Sequence, residues 1–222
     1  MRVHSFPPMA VKKDNVWTGF DIKYGKALIE SADCKLKIIE APWARGLEML
    51  KVGEVDLMLN MTKNRLREKY YHFIGPQRTE RIRLVSKKNS LALISSWQQL
   101  KTLDAVFTLQ RGSYFGVRFK NILKENTMLK TKLRELANNE IGLTLLAMGR
   151  ADALVVDELY INDQPKEIKD LYDVHPLIIN SNPVYYALSK ANFDQSQIEK
   201  IQRAFNVLSK SPDFIEFSKV TF

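Results

Sequence analysis

A chain of 222 residues, 45% hydrophobic and 27% charged, is apolar enough to bury a core and too apolar to remain disordered. Its length allows one large domain or two of about 100 residues. The formal charge of +9 would suit nucleic acid or anionic lipid, but the basic residues are dispersed and the densest stretch, residues 63–69, also contains Glu68, so a solvated basic surface is expected and no nucleic-acid partner.

Cys34 is the only cysteine, which excludes an intramolecular disulfide and the paired-cysteine patterns of zinc or redox sites. His4, His72 and His175 are far apart and lack ligand spacing, so no metal and no cofactor is expected. No apolar run approaches the ~18 residues that a membrane-spanning helix needs. Residues 2–5 read as a strand that begins at once, as though an export signal had been removed ahead of it.

That first strand ends at Pro7 and Pro8, and Gly19 precedes a helix over residues 21–32 whose apolar residues recur at helical spacing. Residues 35–41 alternate as a buried strand. Pro42 opens a helix with Trp43, Leu47 and Leu50 on one face, stopping near Gly53, and residues 55–59 form another strand. This order of strand, helix, strand, helix, strand implies a parallel, helix-covered sheet.

A second series follows Gly75 and Pro76: strand 81–87, short helix 96–101, strand 105–110, helix 113–124, a buried helix over 140–148 and a central strand 153–156. An amphipathic helix over 195–209 and a shorter one carrying Phe214, Ile215 and Phe217 close the chain. The grammar is used twice, so two α/β lobes are expected.

Several segments together resemble the solute-binding proteins that serve amino-acid ABC transporters: Phe6-Pro7-Pro8-Met9, Gly19-Phe20-Asp21-Ile22, Pro42-Trp43-Ala44-Arg45-Gly46-Leu47, Gly53-Glu54-Val55-Asp56, Gly112-Ser113-Tyr114 and Gly149-Arg150-Ala151-Asp152-Ala153. The similarity runs over essentially the whole chain. It implies a type II periplasmic-binding fold, two α/β lobes joined by crossing strands near residues 77–84 and 185–190, with ligand bound between them. Lobe one would be residues 1–82 plus 189–222 and lobe two residues 83–188.

The same resemblance assigns the site. Arg67 aligns with the arginine that grips the ligand carboxylate, for which a planar guanidinium is suited. Asn60 and Thr62 align with loop positions that supply donors, although Arg65 and Leu66 stand where the family has Pro-Glu. Asp157, at the end of the central strand, aligns with the aspartate that accepts the ligand ammonium; it also reads as the cap of a helix starting at Glu158. Phe6 and Trp43 align with aromatics that sandwich the ligand side chain. Ser113 and Tyr114 read as free amides at a helix start, and the neighbouring Arg111 as a contact for an acidic group. Val3 stands where relatives binding lysine or arginine carry aspartate, which argues against a basic ligand.

The expected protein is therefore periplasmic and monomeric, binds a small molecule such as an amino acid or small carboxylate, works with the membrane permease of an ABC transporter, and is not an enzyme. The alternatives are the sensing domain of a signalling receptor and a dehydratase-like enzyme on the same fold.

Overall fold

The computed structural model describes residues 1–219, which divide into two compact units: Met1–Thr79 with the chain from Asn182 onward, and Glu80–Ser181. Both divisions fall a few residues before the places expected from sequence, and residues 220–222 of the expected first lobe lie outside the described residues. The offset has a simple cause. Each division lies inside an uninterrupted strand, Tyr71–Lys87 or Tyr172–Ser189, so no turn residue marks it.

In the first unit, strand Arg2–Val3 pairs in parallel with Ile39–Glu40. Only those two residues of the expected strand 35–41 are extended in a ladder, because Lys35 and Lys37 carry the run out to solvent. A hairpin over Val11–Lys13 and Val16–Thr18, absent from the sequence expectation, turns at Asp14 and Asn15, both with positive φ (49° and 61°). Such backbone angles match the right-handed twist of the flanking strands, and Asp and Asn tolerate them.

Helix Trp43–Val52 starts after Pro42 and stops at Gly53, whose φ of 81° is left-handed. It packs Trp43 and Leu50 against Met58, Met61, Tyr71 and Ala187. Strand Leu57–Thr62 runs antiparallel to the second long strand, which corrects the all-parallel expectation. Helix Gln195–Leu208 is capped by Asp194 and Gln197 and buries Ile198, Ile201 and Phe205.

In the second unit, Phe107–Gln110 is parallel to both Leu133–Leu136 and Ala153–Asp157, and Ala153–Asp157 is antiparallel to the first long strand. Its core is built from Leu84, Leu100, Phe107, Phe119, Ile122 and Val155, among others. Two expectations are corrected here. The helix expected over 113–124 begins only at Val117, after Gly116 with a φ of 89°. Helix Asn139–Ala147 buries one face, through Gly142, Leu143 and Leu146, while Ile141 is exposed, so it is not enclosed all round. Its apolar circumference overstated its burial because Thr144 and Ile141 share the outer side.

Candidate functional site

Five of the nine expected site residues, Phe6, Trp43, Asn60, Thr62 and Arg67, lie in the first unit, and Arg111, Ser113, Tyr114 and Asp157 lie in the second.

The first set centres on the loop after strand Leu57–Thr62. Within the basic stretch, Lys63, Arg65 and Lys69 are exposed, but Arg67 is buried at 8% exposure. This sets Arg67 apart from the solvated basic surface around it, since a guanidinium leaves water only when hydrogen bonds replace it. Its Nη1 donates to the Thr62 carbonyl at 2.9 Å, and its amide donates to Asn64 Oδ1 at 3.0 Å. Asn64 also takes the Leu66 amide at 3.1 Å, so one side chain shapes the turn that leads into the short 3-10 helix Arg67–Lys69. Thr62 Oγ1 accepts from Asn182 Nδ2 at 3.2 Å.

Asn60 differs from its expected role. Its Nδ2 donates to Asp21 Oδ2 at 2.6 Å, its Oδ1 accepts from Arg78 Nε at 3.1 Å, and its amide donates to Gln77 Oε1 at 2.8 Å. The side chain is engaged inward on the protein, so it supports the loop instead of presenting donors to a ligand. Burial pushes the Asp21 carboxyl up to about 7, against the opposing pull of Arg78, the Asn60 hydrogen bond and Arg2. Burial likewise brings Arg2 down to about 9, with Asp21 opposing.

Phe6 and Trp43 are brought together through His4, considered from sequence only as a metal ligand. His4 stacks on Phe6 at 6.2 Å between centroids and meets Trp43 at 6.1 Å, while Arg2 lies over Trp43 at 5.2 Å. Burial, aided by Arg2, holds His4 well below its usual pKa, so the imidazole is neutral at pH 7. The signal that would have found His4 is its position one strand step from Phe6, on the same face. Trp43 is buried in the core cluster.

Asp21 reaches this neighbourhood because of Gly19. A Cβ at Gly19 would meet the Met9 carbonyl oxygen at 2.5 Å and the Pro8 carbonyl oxygen at 2.6 Å, so only glycine lets helix Phe20–Glu30 start against that turn.

In the second unit, Asp157 ends its strand with 7% exposure, and its Oδ1 accepts the Leu159 amide at 3.1 Å, capping helix Glu158–Asn162. Beside it, Glu158 is paired with Arg81 at 3.0 Å and Arg83 at 3.6 Å. Ser113 and Tyr114 are not at a helix start: the Ser113 amide donates to the Gln110 carbonyl at 3.2 Å, and its hydroxyl meets Gln110 Oε1 at 3.2 Å. Gly112, at φ 79°, closes a tight turn back onto the strand end before a helix can begin. Arg111 is exposed and paired with Glu135 at 3.6 Å. Among the described residues, no group of three or more His, Cys, Asp or Glu could hold a metal ion, and no helix is long and apolar enough to cross a membrane.

The model of a family described as bacterial extracellular solute-binding proteins, family 3, matches residues 3–218. The L-cystine-binding protein TcyJ of Escherichia coli (strain K12) is 24% identical over 192 residues, 86% of this chain and 70% of that protein. An ancestral arginine-binding protein bound to arginine superposes with a TM-score of 0.82 at 24% identity, over 97% of this chain and 93% of that one. The ancestral amino acid-binding protein AncCDT-1, a precursor of cyclohexadienyl dehydratase, does so with a TM-score of 0.79 at 24% identity, over 97% and 91%. Likeness at these identities establishes the fold, which is the type II periplasmic-binding fold.

Proposed function

Because the chain belongs to the bacterial extracellular solute-binding proteins, family 3, we propose that it captures a free amino acid or a related small carboxylate outside the cytoplasm and hands it to the permease of an ABC transporter. The observation that carries this reading is Arg67, buried within an otherwise exposed basic stretch and oriented by the Thr62 carbonyl. A preorganised guanidinium of this kind suits bidentate binding of a carboxylate. Asp157, at the strand end of the other unit, is the partner we assign to the ligand ammonium, and Phe6, His4 and Trp43 form the apolar wall for its side chain. Thr62 lines the carboxylate end. Asn60 is moved from the contacts to the support behind them, and Arg111 is left out because its charge is already paired with Glu135 in solvent.

Binding closes the two units on the ligand by a hinge motion, since contacts from both form only in the closed state. The protein acts as a monomer. A melting panel of amino acids and small carboxylates identifies the ligand, because a molecule that prefers the native state raises the melting temperature. Arg67→Ala then loses about 2 to 5 kcal/mol of binding, the cost of leaving a carboxylate without its cation. Calorimetry showing Arg67→Ala within about threefold of the parent, less than 1 kcal/mol, refutes this site.

We read the chain as a binding protein and not as an enzyme. The kinship in fold with a dehydratase precursor makes turnover the discriminating assay. Ligand recovered chemically unchanged after long incubation supports binding alone, and its conversion refutes that reading.

A further inference from the structure

We propose that Asp21 is a positioning residue of this site: acting through Asn60, it holds in place the bulge that aims the loop carrying Thr62 and Arg67. The inference rests on the carboxylate site proposed above and adds to it a residue that touches no ligand.

The bulge follows from the register. Met61 faces Tyr185 and Met58 faces Ala187, so Leu59 and Asn60 together stand opposite Tyr186 alone. The extra residue is absorbed at Asn60, whose φ of 54° is left-handed, a conformation that asparagine bears better than most residues. Three residues from two elements hold it there. Asp21 comes from the first turn of helix Phe20–Glu30, Gln77 and Arg78 come from the first long strand, and each binds a different polar atom of Asn60. Thr62, two residues further on, supplies the carbonyl that orients Arg67. A bulge that relaxed would shift this acceptor, and with it the guanidinium.

The anchoring is electrostatic as well as geometric. Asp21 faces Arg78 on the first long strand, Arg2 on the opening strand and the Tyr186 hydroxyl on the second long strand, and His4 lies beyond Arg2. Burial raises the Asp21 carboxyl toward neutrality while the two arginines resist it. The ionised carboxylate makes the 2.6 Å bond from Asn60 charge-assisted and pulls Arg78 onto the other side of the same amide. The neutral acid does neither. Ligand affinity is therefore linked to this proton, and the tight state is the ionised one.

The test measures the dissociation constant at about pH 5.5 and about pH 8.5 for an amino-acid ligand with no group titrating between them, in the parent, Asp21→Asn, Asn60→Gly and Arg67→Ala proteins. Asn60→Gly keeps the left-handed backbone accessible while removing the link, so it remains informative if Asp21→Asn fails to fold. The parent binds several-fold more tightly at the higher pH. Asp21→Asn binds about tenfold more weakly there, the order expected for one charge-assisted hydrogen bond, and its affinity does not change with pH. Asn60→Gly is flat with pH as well. Retention of the parental pH slope in either variant, or tighter parental binding at the lower pH, overturns the proposal. Arg67→Ala separates the two readings: if it binds normally, the carboxylate site itself fails, whereas its loss with an unchanged Asp21→Asn profile refutes only the role of Asp21.

Discussion

Replacing Asp21 by Asn tests the burial argument without any ligand. In the folded protein the carboxyl is pushed up to about 7 from its ordinary 3.8, with burial as the largest cause. A carboxyl whose folded pKa is raised binds more protons folded than unfolded between those two values, so stability is fully present below the unfolded pKa and falls as pH rises toward the folded one. At about 1.36 kcal/mol per unit, the whole window from about pH 4 to about pH 7 amounts to roughly 4 kcal/mol. Asn has the same shape and keeps an acceptor for Asn60, but it does not titrate. Urea unfolding of both proteins at steps from about pH 5 to about pH 7 should therefore show the Asn variant gaining on the parent by about 2 kcal/mol across those two units, the slope easing as the folded carboxyl begins to ionise. Parallel stability profiles refute the reasoning. A gap that opens in the opposite direction does so too, because it means that Arg2 and Arg78 outweigh burial and that the carboxyl is already ionised at low pH. Taken with the inference above, the ionised form that orients the loop is the form the fold finds more costly, which is a familiar relation between function and stability.

Two further substitutions separate structural from functional roles. Asp157→Asn retains the cap on Leu159 and removes the negative charge, so its melting temperature should stay close to that of the parent while calorimetry shows ligand affinity falling at least tenfold; unchanged affinity removes Asp157 from the site. Gly53→Ala forces a side chain onto a left-handed residue and drives its Cβ against Asn192 Oδ1. Chemical unfolding should show a loss of about 1 to 2 kcal/mol, and a neutral result would mean that the helix end relaxes without cost.

What the sequence made legible follows from which signals are local. The helices Trp43–Val52 and Gln195–Leu208 were readable because their apolar spacing and terminal residues, Pro42 and Gly53 in one case, act within a few positions. Strand Ala153–Asp157 was readable because its first four residues form an unbroken apolar run. The two long strands were seen only in part, as their polar residues Gln77, Arg78 and His175 interrupt the pattern, yet all three are buried by partners remote in the chain. The candidate site shows the same limit. Arg67 and Asp157 are assigned to the site by resemblance and strand position, whereas the roles proposed for Asn60 and Asp21 depend on a register shift opposite Tyr186 that no local pattern encodes. The helix start expected at Ser113 failed for a local reason: Gly112 and Gly116 both take positive φ, and a glycine before an apolar run signals either a helix entrance or a turn preceding it.

The division of the first unit between the two ends of the chain has a consequence for synthesis. Tyr24 packs against Phe214 at 5.1 Å and Phe217 at 4.8 Å, and its hydroxyl donates to the Asp213 carbonyl across 189 residues of sequence. A ribosome adding roughly 5 to 20 residues per second leaves that tyrosine without its partners for about 10 to 40 s. The second unit, contiguous from Glu80 to Ser181, emerges whole in the meantime. The nascent chain thus carries an open aromatic surface until residues 213–217 have been added, and a holding chaperone has that interval in which to bind it.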